Sequence, residues 1–264
     1  MAKSKMNIDT LYNSFLGSTG VTTDSRKIEV GALFFALHGA SFDGNDYAIA
    51  ALEQGASAAV IDREDILEAN PDYAERLILV DDTLQALQAL AQEHRRRLAI
   101  PIIAIAGSNG KTTTKELVSR VLAEKFEVST TKGNLNNHIG VPLTLLSMTE
   151  ATEFGVVEMG ASAQGEIALL CSIAEPNYGI LTNIGLSHLE GFGGVEGIRK
   201  GKENNQTNAE YGHKRAANHE YRKRQQRQSS KENGLRQRTN RHQERVTEHF
   251  QESQLIVYPE RNHP

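Results

Sequence analysis

The chain has 264 residues, 39% of them apolar, and a formal net charge of −4; that length suits about two domains of roughly 100–200 residues each. No run of about 18 apolar residues marks a membrane span, and Met1 to Asp9 lacks the apolar centre of a secretory signal, so neither export nor membrane spanning is expected and the cytoplasm is the expected compartment. The small net charge hides an asymmetry: residues 1–201 carry −9, whereas residues 202–264 carry +5, with only 12 apolar residues and no Asp.

The first hundred residues alternate short β-like runs with helical ones. Residues 32–37, 58–61 and 77–80 read as strands and 47–54 as a helix. Leu84, Leu87, Leu90 and Ala91 share one face of a helix over 83–98, begun by Asp81, Asp82 or Thr83 as cap. Arg95, Arg96 and Arg97 fall in its last turn, where cations complement the helix dipole. Residues 1–98 therefore read as a small α/β domain.

A continuous apolar run over 99–106 has the length and β-branching of a strand buried on both faces of a parallel sheet. Gly107, Ser108, Asn109, Gly110, Lys111, Thr112 and Thr113 follow it and lead into a helix over 114–125. Strand, glycine loop and helix in this order form a phosphate cradle: the glycines bring backbone N–H groups close to an anion and the helix start adds partial positive charge. Lys111 can reach terminal phosphates and Thr112 can offer a hydroxyl to Mg²⁺. The first glycine of the usual pattern is replaced by Ile105, so the spacing alone is a weak match and the flanking strand and helix carry the assignment.

Residues 128–131 read as a further strand, running into a loop with Asn134, Asn136 and Asn137 that suits either a polar, neutral ligand or a plain connector. An apolar, helical stretch follows over 143–148. The strand over 155–159 carries Glu158 near its end, where a nucleotide-hydrolysing site places a Mg²⁺ ligand or a water-orienting base; a solvated strand-end carboxylate is the plainer alternative. A strand over 178–182 leads to His188, on the same sheet edge as Lys111 and Glu158 if all strands are parallel. The single cysteine, Cys171, sits in an apolar run over 167–173 and reads as a structural thiol.

Five separated patterns now occur in one order. Thr23-Asp24-Ser25-Arg26 with Phe42-Asp43-Gly44, the loop 107–113, the run 133–146, Glu158-Met159-Gly160-Ala161, and Asn183 with 188–193 together resemble the Mur ligases of peptidoglycan synthesis over about residues 20–202. The resemblance implies an α/β fold: a small N-terminal UDP-substrate-binding domain (1–98) and an incomplete P-loop, parallel-sheet ATP domain (99–202); the tail (203–264) is expected to be mostly disordered because its few apolar residues cannot offset the entropy of ordering it. It implies ATP-driven amide formation. The asparagine-rich run favours UDP-N-acetylmuramoyl-tripeptide and D-alanyl-D-alanine as substrates, and peptidoglycan precursor synthesis, cell shape and cell division as the setting. By position, Thr112 and Glu158 would hold one Mg²⁺ at the ATP phosphates, His188 a second, and Lys202, with Lys200 as the near alternative, would be carbamylated in support of it. Ser25 and Arg26 would contact the UDP moiety, and Asn134, Asn136 and Asn137 the muramoyl or peptide end.

Beyond Lys202 the resemblance stops. The abrupt change of composition fits a lost or replaced reading frame, and the chain is expected to bind its ligands but not to turn over alone. A folate-extending ligase of the same superfamily is the alternative enzyme reading. A nucleic-acid-binding arm built on the tail arginines is the alternative binding reading, disfavoured because few aromatic residues accompany them. A monomer is expected.

Overall fold

The computed structural model describes residues 7–183 and the backbone of residues 254–257. Helix α1 (Ile8–Leu16) is followed by β1 (Val21–Thr22), β2 (Leu33–Phe35), α2 (Ala48–Glu53), β3 (Ala58–Ile61), α3 (Glu64–Ala69) and β4 (Leu77–Leu79). These four strands form a parallel sheet in the order β1-β2-β3-β4. Alternation along β2 sends Leu33 and Phe35 to one face and Phe34 to the other, and all three are buried, so both faces of this sheet are covered. On the Phe34 side lie Ala48, Ala51 and Leu52 of α2.

Helix α4 (Thr83–Leu98) matches its expected bounds. Asp82 is the cap that forms, its carboxylate accepting from the Gln85 amide at 2.8 Å. Ala99 ends the helix in the left-handed conformation with φ 52°. The three arginines of its last turn do more than complement a dipole. Arg95 donates to the carbonyls of Ala174 and Glu175 and to Asn177 Oδ1, Arg96 pairs with Glu175 at 2.8 Å, and Arg97 reaches Asp9 and stacks 4.0 Å over the Tyr12 ring.

The second sheet is built from β5 (Ile102–Ala106), β6 (Val128–Thr130), β7 (Phe154–Glu158), β8 (Tyr178–Leu181) and β9 (Gln254–Val257), in the order β6-β7-β5-β8-β9. The first four are mutually parallel, as expected, and β9 runs antiparallel along β8. β9 gives residues 254–257, which lie in the tail expected to be disordered, a place in the sheet. Helix α5 (Lys111–Ala123) covers one face, while α6 (Gly140–Leu146) and α7 (Glu166–Ala174) lie on the other. Among the described residues no helix is long and apolar enough to cross a membrane.

One core joins the two sheets. Leu33, Phe35 and Val60 of the first sheet and Ile102, Ala104 and Val157 of the second belong to the same buried cluster, with Leu87, Leu90 and Ala91 of α4 also in it. α4 packs on β2 and α1 as well as on α6 and α7. A division at residue 98 therefore follows the chain connection rather than a gap in the packing. Cys171 fits its expected role: burial pushes its thiol up to about 11, and its sulfur lies 3.8 Å from that of Met159.

Candidate functional site

The C-terminal ends of β5, β7 and β8 meet at one rim of the second sheet, and the functional residues gather there. β5 ends at Ala106; the chain turns through Gly107 to Gly110, and α5 starts at Lys111, three residues earlier than the sequence suggests. Lys111 and Thr112 are thereby held in the first helical turn. Gly107 has φ +143°, and a Cβ there would lie 2.0 Å from Thr182 Oγ1, so a side chain is excluded twice over. Gly110, at φ +77°, faces open space and is needed for its conformation alone.

The loop is tied to β8. Asn183 accepts from the Ser108 amide through its carbonyl at 3.1 Å and from the Asn109 amide through Oδ1 at 2.9 Å, while Thr182 Oγ1 donates to the Asn109 carbonyl at 2.6 Å. Those two amides thus brace the loop rather than face a ligand. α5 has no side-chain cap at its start, so the amides of its first turn, those of Lys111, Thr112 and Thr113 among them, are open to a phosphate. Lys111 Nζ folds over the loop, donating to the carbonyls of Gly107 at 2.8 Å and Ser108 at 3.3 Å.

Glu158 ends β7, in register with Ile105 of β5. Its carboxylate is almost wholly covered, with the residue 2% exposed. Oε2 accepts from Thr112 Oγ1 at 3.0 Å, Oε1 accepts from Asn136 Nδ2 at 2.9 Å, and the Glu158 amide donates to Thr131 Oγ1 at 2.9 Å. A solvated strand-end carboxylate is therefore not what is found. Thr112 and Glu158 offer adjacent hard oxygens, the donor chemistry Mg²⁺ takes when most of its remaining ligands are waters and phosphate oxygens. No group of three or more His, Cys, Asp or Glu side chains that would hold a metal by protein ligands alone exists among the described residues.

The three asparagines have different surroundings. Asn136 is locked at the site: besides its bond to Glu158, its carbonyl accepts from the Gly160 amide at 2.7 Å, and a Cβ on Gly160 would press to 3.0 Å from Asn136 Cγ. Asn137 Oδ1 accepts from the amides of Ile139 and Gly140, which braces the turn leading into α6. Asn134 is exposed. The neighbouring His138 carbonyl accepts from Gln88 Nε2 of α4 at 3.0 Å, which holds this loop beside the first sheet's helix.

Ser25 and Arg26 lie in the turn after β1, away from the phosphate loop in sequence and on the other sheet. Arg26 is exposed and grips Asp24 in a fork, Nε to Oδ1 at 2.8 Å and Nη2 to Oδ2 at 2.9 Å; these bonds pull the Asp24 carboxyl down to about 2. His188, Lys200 and Lys202 lie outside the described residues. Sequence reasoning missed the roles of Thr182, Asn183, Thr131 and Lys115. For Asn183 the available signal was a polar residue at the tip of the strand beside the loop.

A parallel sheet with a glycine loop running into a helix, a lysine and a threonine in that helix's first turn, and a buried carboxylate at the next strand's tip define a nucleotide-phosphate-binding α/β protein. The comparisons with known proteins narrow this class. The Mur ligase middle domain matches residues 105–262, and the Mur ligase family catalytic domain matches residues 18–95. The chain belongs to the Mur ligase family. It is 48% identical over 183 residues to the UDP-N-acetylmuramoyl-tripeptide--D-alanyl-D-alanine ligase of Bacillus subtilis, covering 69% of this chain and 39% of that protein. The crystal structure of MurF from Acinetobacter baumannii superposes with a TM-score of 0.65 at 34% identity, covering 76% of this chain and 46% of that one. MurF ligase from Thermotoga maritima in complex with ADP gives 0.63 at 35% identity, covering 72% and 43%. The chain thus spans about two-fifths of the length of the curated relatives it matches. The middle-domain match runs past Lys202, the point at which the family patterns stop being readable by eye.

Proposed function

We propose that this chain supplies the nucleotide-phosphate half of an ATP-dependent amide ligase, one that joins D-alanyl-D-alanine to UDP-N-acetylmuramoyl-tripeptide in the cytoplasm during peptidoglycan precursor synthesis. The observation that carries the reading is the Thr112–Glu158 contact at 3.0 Å beside Lys111 and an uncapped helix start. The B. subtilis and A. baumannii relatives support the choice of substrates, and nothing favours the folate-extending alternative.

In such a reaction the tripeptide's terminal carboxylate oxygen attacks the γ-phosphorus of ATP, the bond to the β-bridging oxygen breaks and ADP leaves. The amine of D-alanyl-D-alanine then attacks the acyl carbon, loses a proton, and expels inorganic phosphate as the amide forms. A carboxylate and a triphosphate repel one another, so the barrier depends on positive groups fixed in place beforehand. Lys111 exchanges the carbonyls of Gly107 and Ser108 for phosphate oxygens, and the amides at the start of α5 bind the same anion. Bound Mg²⁺ would neutralise charge on the phosphoryl oxygens, with Thr112 and Glu158 as its protein ligands. Asn136 holds one Glu158 oxygen so that the other stays turned toward Thr112. His188 and Lys202 as holders of a second ion, Ser25 and Arg26 as contacts to the UDP end, and Asn134 as a contact to the peptide end belong to the same proposal and rest on the family pattern.

Calorimetric titration of the full chain with ATP and Mg²⁺, and separately with UDP-N-acetylmuramoyl-tripeptide, tests it. Binding of both is the expected result, with ATP binding weakened in Lys111→Ala and the UDP-substrate's in Ser25→Ala with Arg26→Ala. A chain that binds neither overturns the proposal.

A further inference from the structure

Helix α5 buries polar residues at the centre of its inner face. An amphipathic helix turns its leucines and valines to the core, yet the two residues α5 buries most fully are Lys115 and Ser119; Val118 and Leu122 flank them half-buried, while Leu117 is 50% exposed and Val121 73% exposed. Taking an ammonium out of water is costly unless its protons are satisfied, and a methionine of similar length would fill the space without that cost. The face that carries Lys115 and Ser119 meets the tips of β6 and β7. Lys115, 3% exposed, donates from Nζ to the Thr131 carbonyl at 2.7 Å and pairs with Glu116 at 3.0 Å; Ser119 Oγ lies 3.3 Å from Thr130 Oγ1.

Thr131 is the next link. It is 1% exposed, its amide donates to the Val156 carbonyl at 3.1 Å, and its hydroxyl accepts the Glu158 amide at 2.9 Å. One buried residue is thus held at its carbonyl by the phosphate-loop helix and at its hydroxyl by the strand that ends in Glu158. We infer that Lys115 and Thr131 are positioning residues: through the Thr131 backbone they fix the end of β7, and with it the angle at which the Glu158 carboxylate meets Thr112 and a divalent cation. The charge of Lys115 is retained because a bond to a backbone carbonyl fixes a distance, which apolar packing does not. The thirteen-residue helix that presents Lys111 and Thr112 and the strand that presents Glu158 then move as one body. Partners that orient a metal ligand from behind typically contribute about 10–100-fold in metal affinity.

This inference rests on the reading of Glu158 as a Mg²⁺ ligand, and its test separates the two. ADP is titrated into the full-length chain with EDTA and again across a range of Mg²⁺ concentrations, for the parent, Glu158→Gln, Lys115→Met, Thr131→Val, Thr131→Ser and Ser119→Ala. Lys115→Met and Thr131→Val are expected to bind metal-free ADP like the parent, within about twofold, while the Mg²⁺ concentration needed to tighten ADP binding rises at least about tenfold. Thr131→Ser, which keeps the hydroxyl, and Ser119→Ala, on the same helix face but off the relay, are expected to keep the parent's Mg²⁺ dependence. Hydrogen exchange at the Glu158 amide gives a second readout, faster in Thr131→Val and unchanged in Ser119→Ala. Should Lys115→Met not fold, the Thr131 pair decides. Parent-like Mg²⁺ dependence in Thr131→Val, with that dependence lost in Glu158→Gln, overturns the inference and leaves the site reading standing. A parent chain that binds no ADP overturns the site reading and the inference with it.

Discussion

Lys111 Nζ sits 2.8 Å from the carbonyl of Gly107, four residues back along its own loop. The ammonium is parked on the turn it would leave to meet a phosphate, so its removal costs little in the ligand-free protein and much in the complex. Lys111→Ala is expected to weaken ATP binding by about 10–100-fold, the worth of a charge-assisted hydrogen bond or two, with a thermal midpoint in the absence of nucleotide close to the parent's. Calorimetry and thermal scans of the same preparation check both halves.

The two loop glycines are expected to differ in what they cost. Gly110→Ala meets no neighbour and pays only for a left-handed backbone, about 1–2 kcal/mol. Gly107→Ala pays a comparable conformational cost and also drives a methyl group to 2.0 Å from Thr182 Oγ1, breaking the contacts that Thr182 and Asn183 make with the loop. Urea unfolding should rank Gly107→Ala as the less stable of the two, and nucleotide binding should be lost in it first.

His94 gives the fold a dependence on pH with a definite sign. It is 5% exposed, its Nε2 lies 3.0 Å from the Met148 carbonyl and its Nδ1 3.2 Å from the Tyr12 hydroxyl; burial pushes its pKa below 6.5. The Met148 carbonyl can only accept, so Nε2 carries the proton and the neutral ring accepts from Tyr12. An unfolded chain protonates this ring near its ordinary value while the folded one does not, so stability contributed here falls as pH drops through about 6.5. His38, held above 6.5 by its bond to Asp62, acts in the opposite sense, contributing below its unfolded value and losing that contribution as pH rises through the folded one; it is half exposed and its share is small. Thermal midpoints between pH 7.5 and 5 should decline less in His94→Gln than in the parent, and a steeper decline in the variant would contradict this account.

Arg95 joins α4 to the end of α7 through three acceptors, with the residue 8% exposed. Arg95→Met keeps most of the volume and removes the donor to the Ala174 and Glu175 carbonyls, while Asn177 Oδ1 keeps the Ile102 amide, at an expected cost of about 1.5–3 kcal/mol. Denaturant titration measures it, and Arg96→Met, whose partner Glu175 is reached from an exposed position, should cost under about 1 kcal/mol.

Seven of the strands and the rim carrying Lys111, Thr112 and Glu158 were legible because each is announced locally: β-branched runs fix the buried strands and a glycine loop fixes the turn between strand and helix. The extent of α4 was legible to the residue because an acidic cap and a three-four apolar spacing agree. Much of what was not legible depends on pairs far apart in sequence. Asn137 reads as ligand-binding, and its side-chain oxygen accepts from the amides of Ile139 and Gly140 ahead of α6, a local bond that composition does not announce. Ser108 and Asn109 read as phosphate donors by motif, yet their amides are committed to Asn183, 74 residues away in the second case. Lys115 goes unmarked in the sequence, and its place is set by the carbonyl of Thr131, 16 residues away. α1, α3, β1 and β9 went unread, β1 because it is only two residues long.

Because α4 serves as a wall to both sheets, neither half of this protein can be closed off by cutting at the joint after Leu98. Keep the helix with the first sheet and α6 and α7 lose the surface they pack on; keep it with the second and Leu33 and Phe35 are laid bare. Any attempt to study the two sheets as separate pieces would release a sticky apolar face on one of them, and the two should melt in a single transition.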